Sequence, residues 1–166
     1  EAAIQAEQRR MDLTGEAAAV ILFDLDWFKS INDTFGHAAG DKVLTHVAAS
    51  ARAALRQPGD AIARWGGEEF AIFLTGVTID QAFVIADRLR QSIADTPLTD
   101  IAPGLSVTGS FGVAAMTARS NFTKIMADAD RALYQAKEAG RNTAKISTLL
   151  PQHPQKSAAL DPVGSH

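Results

Sequence analysis

Two short acidic clusters carry the chemistry that the sequence offers most clearly. Asp24 and Asp26 end a continuous apolar run, and Glu68 and Glu69 follow a pair of glycines. If the strand formed by that run lies beside the turn at the glycines, Asp24 and Glu68 converge, and carboxylates that close repel each other unless a cation lies between them. Ligands that are all oxygen suit Mg²⁺ or Mn²⁺. On spacing alone, strand-end acids that face solvent account for the pattern equally well.

The two glycines, Gly66 and Gly67, separate the strand-like runs Ala61–Trp65 and Glu68–Leu74. A Gly-Gly pair between two such runs is typical of a tight hairpin, because both turn residues can take positive φ. The same pair would let the backbone approach a bulky anion closely. A hairpin turn without a ligand is the simpler interpretation of the glycines taken alone.

Several other kinds of site are excluded by the sequence. It has no cysteine, which rules out a disulfide scaffold, a thiolate zinc site and thiol catalysis. The segment that begins at Asp24 lacks the oxygen ligand and the glycine that an EF-hand loop needs at its fifth and sixth positions. The segment 36–42 resembles a phosphate-binding P-loop, but its spacing is wrong and Asp41 stands in place of a lysine.

The length and the charge limit the partners. A chain of 166 residues fits one domain with a conventional core. The formal net charge of −3 argues against broad binding to nucleic acid, so a phosphate ligand needs a local site. The apolar runs fall short of the ~20 residues of a membrane span, and no signal peptide is visible. We therefore expect a cytoplasmic protein without a membrane span.

The hydrophobic pattern predicts the elements that must position the acidic clusters. In chain order they are a helix over Glu1–Arg10 broken by Asp12–Gly15, a buried strand Ala18–Leu25, a helix from Asp41 (as N-cap) to Pro58, the hairpin, a helix Ile79–Ala94, a strand Leu105–Met116, a helix Asn121–Ala139 and a strand Thr143–Thr148. The tail from Leu149 has no periodicity and is predicted to be disordered. A hairpin inside an alternating pattern predicts an α+β domain: a mixed sheet, with a split βαβ core, covered by helices.

The acidic clusters belong to a longer series of motifs. The series comprises FDLDWFKSIND at 23–33, Phe35–His37 with Gly40–Asp41, RWGGEEF at 64–70 and ADRALYQAKEAGRN at 129–142. In order and spacing these segments resemble the GGDEF family of diguanylate cyclases, which condense two GTP into cyclic di-GMP and release pyrophosphate. The resemblance implies a palm-like catalytic domain over residues 1–148, truncated at its N-terminus, with residues 149–166 as a tail. The Asp12–Gly15 segment is interpreted as a coincidental likeness to the segment that usually opens the family.

The resemblance also implies roles for individual residues. Asp24, Glu68 and the Leu25 carbonyl would hold two Mg²⁺ or Mn²⁺ ions, and Glu68 would also help to take the proton of the attacking hydroxyl. Glu69 fills a motif position whose chemical role stays open. Asp26 is expected to support the site rather than bind the metal. The predicted contacts with GTP are Asn32 and Asp41 for guanine, Lys29, Lys137 and Arg141 for the phosphates, and Phe28, Gly66 and Gly67 around the nucleotide. Lys137 and Arg141 also suit the negative end of a helix dipole, and both roles are compatible.

Assembly and regulation follow from the same resemblance. One site holds one GTP, so a homodimer is expected, controlled by a sensory or receiver domain upstream. The family's inhibitory product site pairs an arginine and an aspartate three residues apart with a distant arginine. Asp60 and Arg88 match two of these positions, whereas Gln57 replaces the first arginine and Arg56 lies one residue off, so we predict weak or absent product inhibition. The alternatives are an inactive GTP- or cyclic di-GMP-binding regulatory domain and a palm-type cyclase that acts within one nucleotide.

Overall fold

The apolar run Ala18–Leu25 forms the central strand, β1, of a five-stranded mixed sheet. The computed structural model describes residues 2–118 and 120–148. The other strands are β2 (Ala61–Arg64), β3 (Glu69–Thr75), β4 (Gly109–Met116) and β5 (Ala144–Ile146), in the spatial order β2-β3-β1-β4-β5. β1 is antiparallel to β3 and β4, and β5 is parallel to β4. The predicted α+β sheet is therefore present, whereas the predicted tail from Leu149 lies outside the described residues.

Both faces of β1 are covered, which explains why its run is apolar throughout. The helices are α1 (Ala2–Thr14), α2 (Phe28–Phe35), α3 (His37–Ala53), α4 (Ile79–Asp95) and α5 (Phe122–Glu138). Ile21 and Phe23 pack in a core with α2, α3 and α4. Val20 and Leu22 face the opposite side, in a second core with α5.

The region after the first acidic cluster differs from the predicted elements in two ways. Residues 28–35 form α2, a helix absent from the predicted order. The next helix, α3, begins at His37 rather than Asp41, because Gly36 takes φ 92° and turns the chain between two helices. Asp41 therefore lies inside α3, and it is not an N-cap.

The hairpin exists, but its turn differs from the expected two-residue form. β2 ends at Arg64 and β3 begins at Glu69, so four residues make the connection. Gly66 and Gly67 are not among the residues with positive φ. In a longer turn neither glycine needs the left-handed conformation that a two-residue hairpin imposes.

Two other elements have ends that differ from the predicted ones. α1 continues through Asp12–Thr14 and stops at Gly15, which has φ 69°. β4 begins only at Gly109, four residues after the predicted start at Leu105.

Gly112 of β4 lets α5 approach the sheet closely. A Cβ at this position would overlap the Ala129 carbonyl oxygen and the Leu133 backbone. A glycine is therefore needed here for packing, since helix backbone cannot yield as a side chain can. The close approach seats α5 on the face of the sheet where Asp24 lies.

Candidate active site

The two acidic clusters lie together where β1 ends and β3 begins. Asp24 is paired with Glu69 in the antiparallel ladder, so the two side chains share one face of the sheet. Glu68 precedes β3 in the turn, where its carbonyl oxygen accepts a hydrogen bond from Leu25 N at 3.2 Å. The ladder partner of Asp24 is thus Glu69, and Glu68 is tied to β1 through its backbone.

Arg64 braces the turn that carries Glu68. Its Nε and Nη2 atoms donate to the Gly67 carbonyl oxygen at 2.9 and 2.6 Å. Apart from Gly67 itself and its two chain neighbours, no heavy atom of the described residues lies within 4 Å of the place where a Cβ would stand on Gly67. The glycine is therefore not required by packing within this part of the chain, which leaves space beside the turn.

Helix α5 brings a lysine onto the acidic cluster. Lys137 Nζ donates to Asp24 Oδ2 at 2.6 Å, with 34% of the lysine side chain and 15% of the aspartate side chain exposed. A contact this short between opposite charges, partly shielded from solvent, is a charge-assisted hydrogen bond. The structure thus joins a predicted phosphate ligand to a predicted metal ligand, 113 residues earlier in the chain.

Burial and negative charge raise the pKa of Glu69. Loss of solvent is the largest cause, the carboxylates of Asp24, Asp130 and Glu68 add to it, and Lys137 opposes it. Asp130 was missed by the sequence reasoning. Its spacing of seven residues from Lys137 places both on one face of α5 and could have revealed it.

The donor set fits a divalent cation that shares its coordination with a substrate. Within residues 2–118 and 120–148, no three His, Cys, Asp or Glu side chains group closely enough to hold a metal ion alone. Mg²⁺, however, is usually held by one or two carboxylates, several waters and the phosphates of a substrate. Asp24 and Glu69 offer crowded carboxylate oxygens, and a lysine ammonium already binds the first of them. The residues present therefore fit a hard cation that arrives with a phosphorylated ligand.

A second part of the site lies where α2 meets α3. The Asn32 Oδ1 atom is buried and has no hydrogen-bond partner among the described residues. A Cβ on Gly40 would overlap this atom, so the glycine admits the amide between the helices. The next residue, Asp41, lines a cleft of about 480 Å³ together with Leu44 and Arg64. A buried acceptor without a partner is costly, so this amide oxygen lacks the compensation that buried polar groups usually have.

The other two predicted residues of α2 differ in exposure. Phe28 is 9% exposed and belongs to the core, where the tip of its ring packs near Gly40. Lys29 is exposed at the start of the helix.

Arg141 lies just after α5 and contacts Trp27, two residues beyond the end of β1. Its guanidinium carbon is 4.1 Å from the centroid of the Trp27 ring, which is a cation–π contact. Asp26, next to Trp27, is buried and accepts hydrogen bonds from Thr108, Ser110 and the Asn142 backbone. Its expected supporting role agrees with these contacts.

Comparison with known proteins decides the family. The family model "Diguanylate cyclase, GGDEF domain" matches residues 1–143. The chain belongs to the GGDEF family. Diguanylate cyclase DgcP from Pseudomonas aeruginosa is 39% identical over 144 residues, which are 87% of this chain and 21% of that protein. Diguanylate cyclase A from Treponema denticola is 38% identical over 133 residues, which are 80% of this chain and 36% of that protein.

The structural likeness covers nearly the whole of a solved GGDEF-family domain. The active GGEEF domain of a diguanylate cyclase from Vibrio cholerae superimposes with a TM-score of 0.83 and 31% identity, over 90% of this chain and 94% of that chain. The palm-like fold that the resemblance implied is therefore confirmed. This GGDEF chain spans only about a fifth to a third of the length of the two curated relatives. Among its described residues, no helix combines the length and apolarity needed to cross a bilayer.

The residues at the family's product-site positions have different surroundings. Both carboxylate oxygens of Asp60 accept hydrogen bonds from the protein itself: Oδ2 from Arg56 N and Gln57 N, and Oδ1 from the Thr75 amide and hydroxyl. Arg88 instead lines a cleft of about 250 Å³ on α4.

Arg56 lines the same cleft as Arg88. On a helix, an offset of one residue would rotate the Arg56 side chain by about 100° from the position of Gln57. α3 stops at Ala53, so helical geometry does not govern Arg56. Weak or absent product inhibition at these positions stays a prediction.

Proposed function

We propose that this GGDEF domain is a diguanylate cyclase that joins two GTP molecules into cyclic di-GMP and releases two pyrophosphates. The observation that supports it most is the convergence of the Asp24–Glu69 pair, the Glu68 turn and Lys137 at one sheet edge. Cationic Arg141 is held at Trp27, two residues beyond the end of β1. Such an arrangement combines acid ligands for a cation with cations for a triphosphate. The two relatives from Pseudomonas aeruginosa and Treponema denticola are both named as diguanylate cyclases.

Guanine recognition is assigned to the α2–α3 junction. Asn32 has a buried amide oxygen without a partner among the described residues, and Asp41 adds a carboxylate that lines the cleft. A carboxylate can accept from the N1–H and N2–H edge of guanine, while an amide both donates and accepts. Adenine carries no donors at those positions, so these two side chains would favour GTP over ATP.

The catalytic edge is assigned to the acidic cluster. Asp24, Glu68 and the Leu25 carbonyl would hold two Mg²⁺ or Mn²⁺ ions, which, when bound, make the 3′-hydroxyl more acidic and neutralise charge on the α-phosphate. Glu68, held beside β1 by the bond from Leu25 N, is assigned to receive the hydroxyl proton. The O3′ atom then forms a bond to the α-phosphorus, and the bond from that phosphorus to the bridging oxygen of the β-phosphate breaks.

Lys137 and Arg141 would then bind the departing pyrophosphate. Lys137 reaches the cluster from the last turn of α5, and Arg141 is held by the Trp27 ring. The space beside Gly67 suits the close approach of the phosphate chain to the turn. Exposed Lys29 at the start of α2 completes the proposed set of cations.

The product requires two chains. Cyclic di-GMP contains two guanylyl units joined by two equivalent bonds, and one Asn32–Asp41 junction serves one guanine. We therefore infer a homodimer in which two copies of the domain face each other across their GTP molecules. A sensory or receiver domain that controls the pairing remains a prediction.

Product identification tests the proposal. The purified chain is incubated with GTP and MgCl₂, and the products are separated by chromatography and identified by mass. We expect cyclic di-GMP and pyrophosphate in a ratio of one to two, with loss of both in Glu68→Gln. Glu16→Gln, at the opposite end of β1, is the matched control and should keep its activity. GTP binding without any product would favour the inactive regulatory domain, and 3′,5′-cyclic GMP would favour the single-nucleotide cyclase.

A further inference from the structure

The segment Gly140–Asn142, which carries Arg141, has an unusual backbone. All three residues have positive φ: 107° at Gly140, 63° at Arg141 and 43° at Asn142. The first is explained by helix termination, because Gly140 N bonds to Lys137 O and Arg141 N bonds to Ala136 O, the pattern of a Schellman motif. The motif does not require the next two residues to be left-handed. Two successive non-glycine residues in this conformation persist only where their surroundings hold them.

Asp26 accepts one of the hydrogen bonds that hold Arg141 and Asn142 in this conformation. Its Oδ2 accepts from Asn142 N at 3.0 Å and from Thr108 Oγ1 at 2.7 Å, and its Oδ1 accepts from Ser110 Oγ at 2.7 Å. The carboxylate is only 5% exposed, so these donors replace the water that it loses. Asp26 therefore joins three positions distant in sequence: the end of β1, the start of β4 and the segment after α5.

Contacts on both sides of the Asp26–Asn142 hydrogen bond hold the same segment. Trp27 follows Asp26, and its ring stacks on the Arg141 guanidinium. Since Arg141 precedes Asn142, the adjacent residues Asp26 and Trp27 contact the adjacent residues Asn142 and Arg141. On the other side, Arg90 Nη1 donates to Asn142 Oδ1 at 3.0 Å, while Arg90 Nε donates to Asp87 at 2.7 Å. Asn142 is thus held at its backbone from β1 and at its side chain from α4.

We infer that Asp26 is a positioning residue that, with Trp27, fixes Arg141 in place for the triphosphate. The inference rests on the proposed function for its ligand, since Arg141 is there assigned to phosphate. An arginine already held near its bound position loses less conformational entropy on binding than a mobile one. Residues 26 and 27 then set the affinity for the phosphate chain and leave guanine recognition at Asn32 and Asp41 untouched.

The experiment compares two probes on the full chain: GMP, and guanosine 5′-(α,β-methylene)triphosphate with Mg²⁺. Asp26→Asn removes the negative charge and leaves one acceptor oxygen for the Asn142, Thr108 and Ser110 donors, so we expect about tenfold weaker triphosphate binding with GMP binding unchanged. Ser110→Ala is the matched control, because it removes a donor to the same carboxylate but keeps the Asn142 bond. Equal losses for both probes, or equal effects of Asp26→Asn and Ser110→Ala, would overturn the inference.

A double-mutant cycle tests whether Asp26 acts through Arg141. In an Arg141→Ala background, Asp26→Asn should cause no further loss of triphosphate affinity. Fully additive losses would show an independent role and refute the positioning of Arg141.

Trp27→Leu covers the case in which Asp26→Asn does not fold, because Trp27 is 65% exposed. We expect it to weaken triphosphate binding about two- to fivefold, the range of an exposed cation–π contact. An unchanged triphosphate affinity in Trp27→Leu would show that Trp27 does not position Arg141.

A nucleotide-free measurement separates this inference from the proposed function. The Trp27 ring should shift the NMR signal of Arg141 Hε, and Asp26→Asn should move that signal toward the value of a mobile arginine. If the wild-type chain bound neither probe, the proposed function would fail, and the Hε shift would still decide whether Asp26 holds Arg141. An Hε signal that does not respond to Asp26→Asn would refute the inference whatever the nucleotide data show.

Discussion

Replacing Lys137 by methionine is expected to shift two affinities in opposite directions. Lys137 Nζ lies 2.6 Å from Asp24 Oδ2, so a cation that binds Asp24 must share the carboxylate with an ammonium group or displace it. Once GTP is present, the same ammonium is assigned to the phosphates. The substitution should therefore strengthen the binding of metal ion alone and weaken the binding of the metal–nucleotide complex.

The size of each effect follows from the exposure of the pair. A hydrogen bond between charged groups contributes about 1.5–3 kcal/mol when shielded and about 0.2–1 kcal/mol when exposed. With 34% of the lysine and 15% of the aspartate side chain exposed, we take about 1 kcal/mol for the pair. Its loss should tighten metal binding about fivefold. Loss of the phosphate contact should weaken nucleotide binding about ten- to a hundredfold.

Titration of Mn²⁺ followed by electron paramagnetic resonance measures the first affinity, and calorimetry with Mg²⁺ and the methylene triphosphate analogue measures the second. Lys124→Met is the matched control, because Lys124 also lies on α5 and pairs with an aspartate, Asp128 at 2.9 Å, outside the site. The control should leave both affinities unchanged. Mn²⁺ binding that is equal or weaker in Lys137→Met would refute the competition between lysine and metal at Asp24.

Four further outcomes test other parts of the structure. Asn32→Ala and Asp41→Ala should each weaken GTP binding by about 1–3 kcal/mol and leave ATP binding unchanged in calorimetry; equal losses would contradict guanine recognition. Glu69→Gln should raise the melting temperature in EDTA at neutral pH, because the raised pKa means that ionised Glu69 destabilises the fold; this gain should shrink as pH falls toward the ordinary value of 4.5. Gly112→Ala should lower the free energy of unfolding in urea by about 1–3 kcal/mol, and an unchanged midpoint would contradict the close packing of α5. Asp60→Ala should lower the melting temperature through lost internal hydrogen bonds, whereas a selective loss of tight cyclic di-GMP binding would show a working product site.

The elements that the sequence predicted well are those whose pattern reflects burial. The run Ala18–Leu25 was placed to the residue, because a strand covered on both faces is apolar throughout. α4 and α5 were also located closely, since each has one apolar stripe and a side-chain cap, at Thr78 and Asn121.

α2 was missed for the opposite reason. It is eight residues long, it buries only Phe28 and Ile31, and its N-terminal cap position, Trp27, makes no capping hydrogen bond. Its position is fixed by packing on α3, where Asn32 fits against Gly40. Phe28, Ile31 and Phe35 do recur at helical spacing, but two turns are too short for that pattern to be told from a loop, and a helix of this length depends on tertiary packing.

The residues of the candidate site were found by motif, but their partners were not. Asp26 takes its hydrogen bonds from residues 82 to 116 positions later in the chain, and Asp24 meets Lys137 113 positions later. Local patterns carry no information on such pairs. They depend on the arrangement of strands and on where α5 docks.

Strand register decides the chemistry at the acidic edge. The expectation that Asp24 and Glu68 converge assumed neighbouring strands but fixed no register, and the ladder pairs Asp24 with Glu69 instead. A slip of one residue would turn every side chain of a strand to the opposite face, which would take Glu69 away from Asp24 and Lys137. In the observed register Glu69 shares their face and has its pKa raised by burial and by Asp24, while Glu68 stays in the turn. Glu69, the residue whose role the motif left open, is thus the direct neighbour of the first acidic cluster. The effect of substituting Glu69 should therefore depend on the charge of Asp24 more strongly than the effect of substituting Glu68.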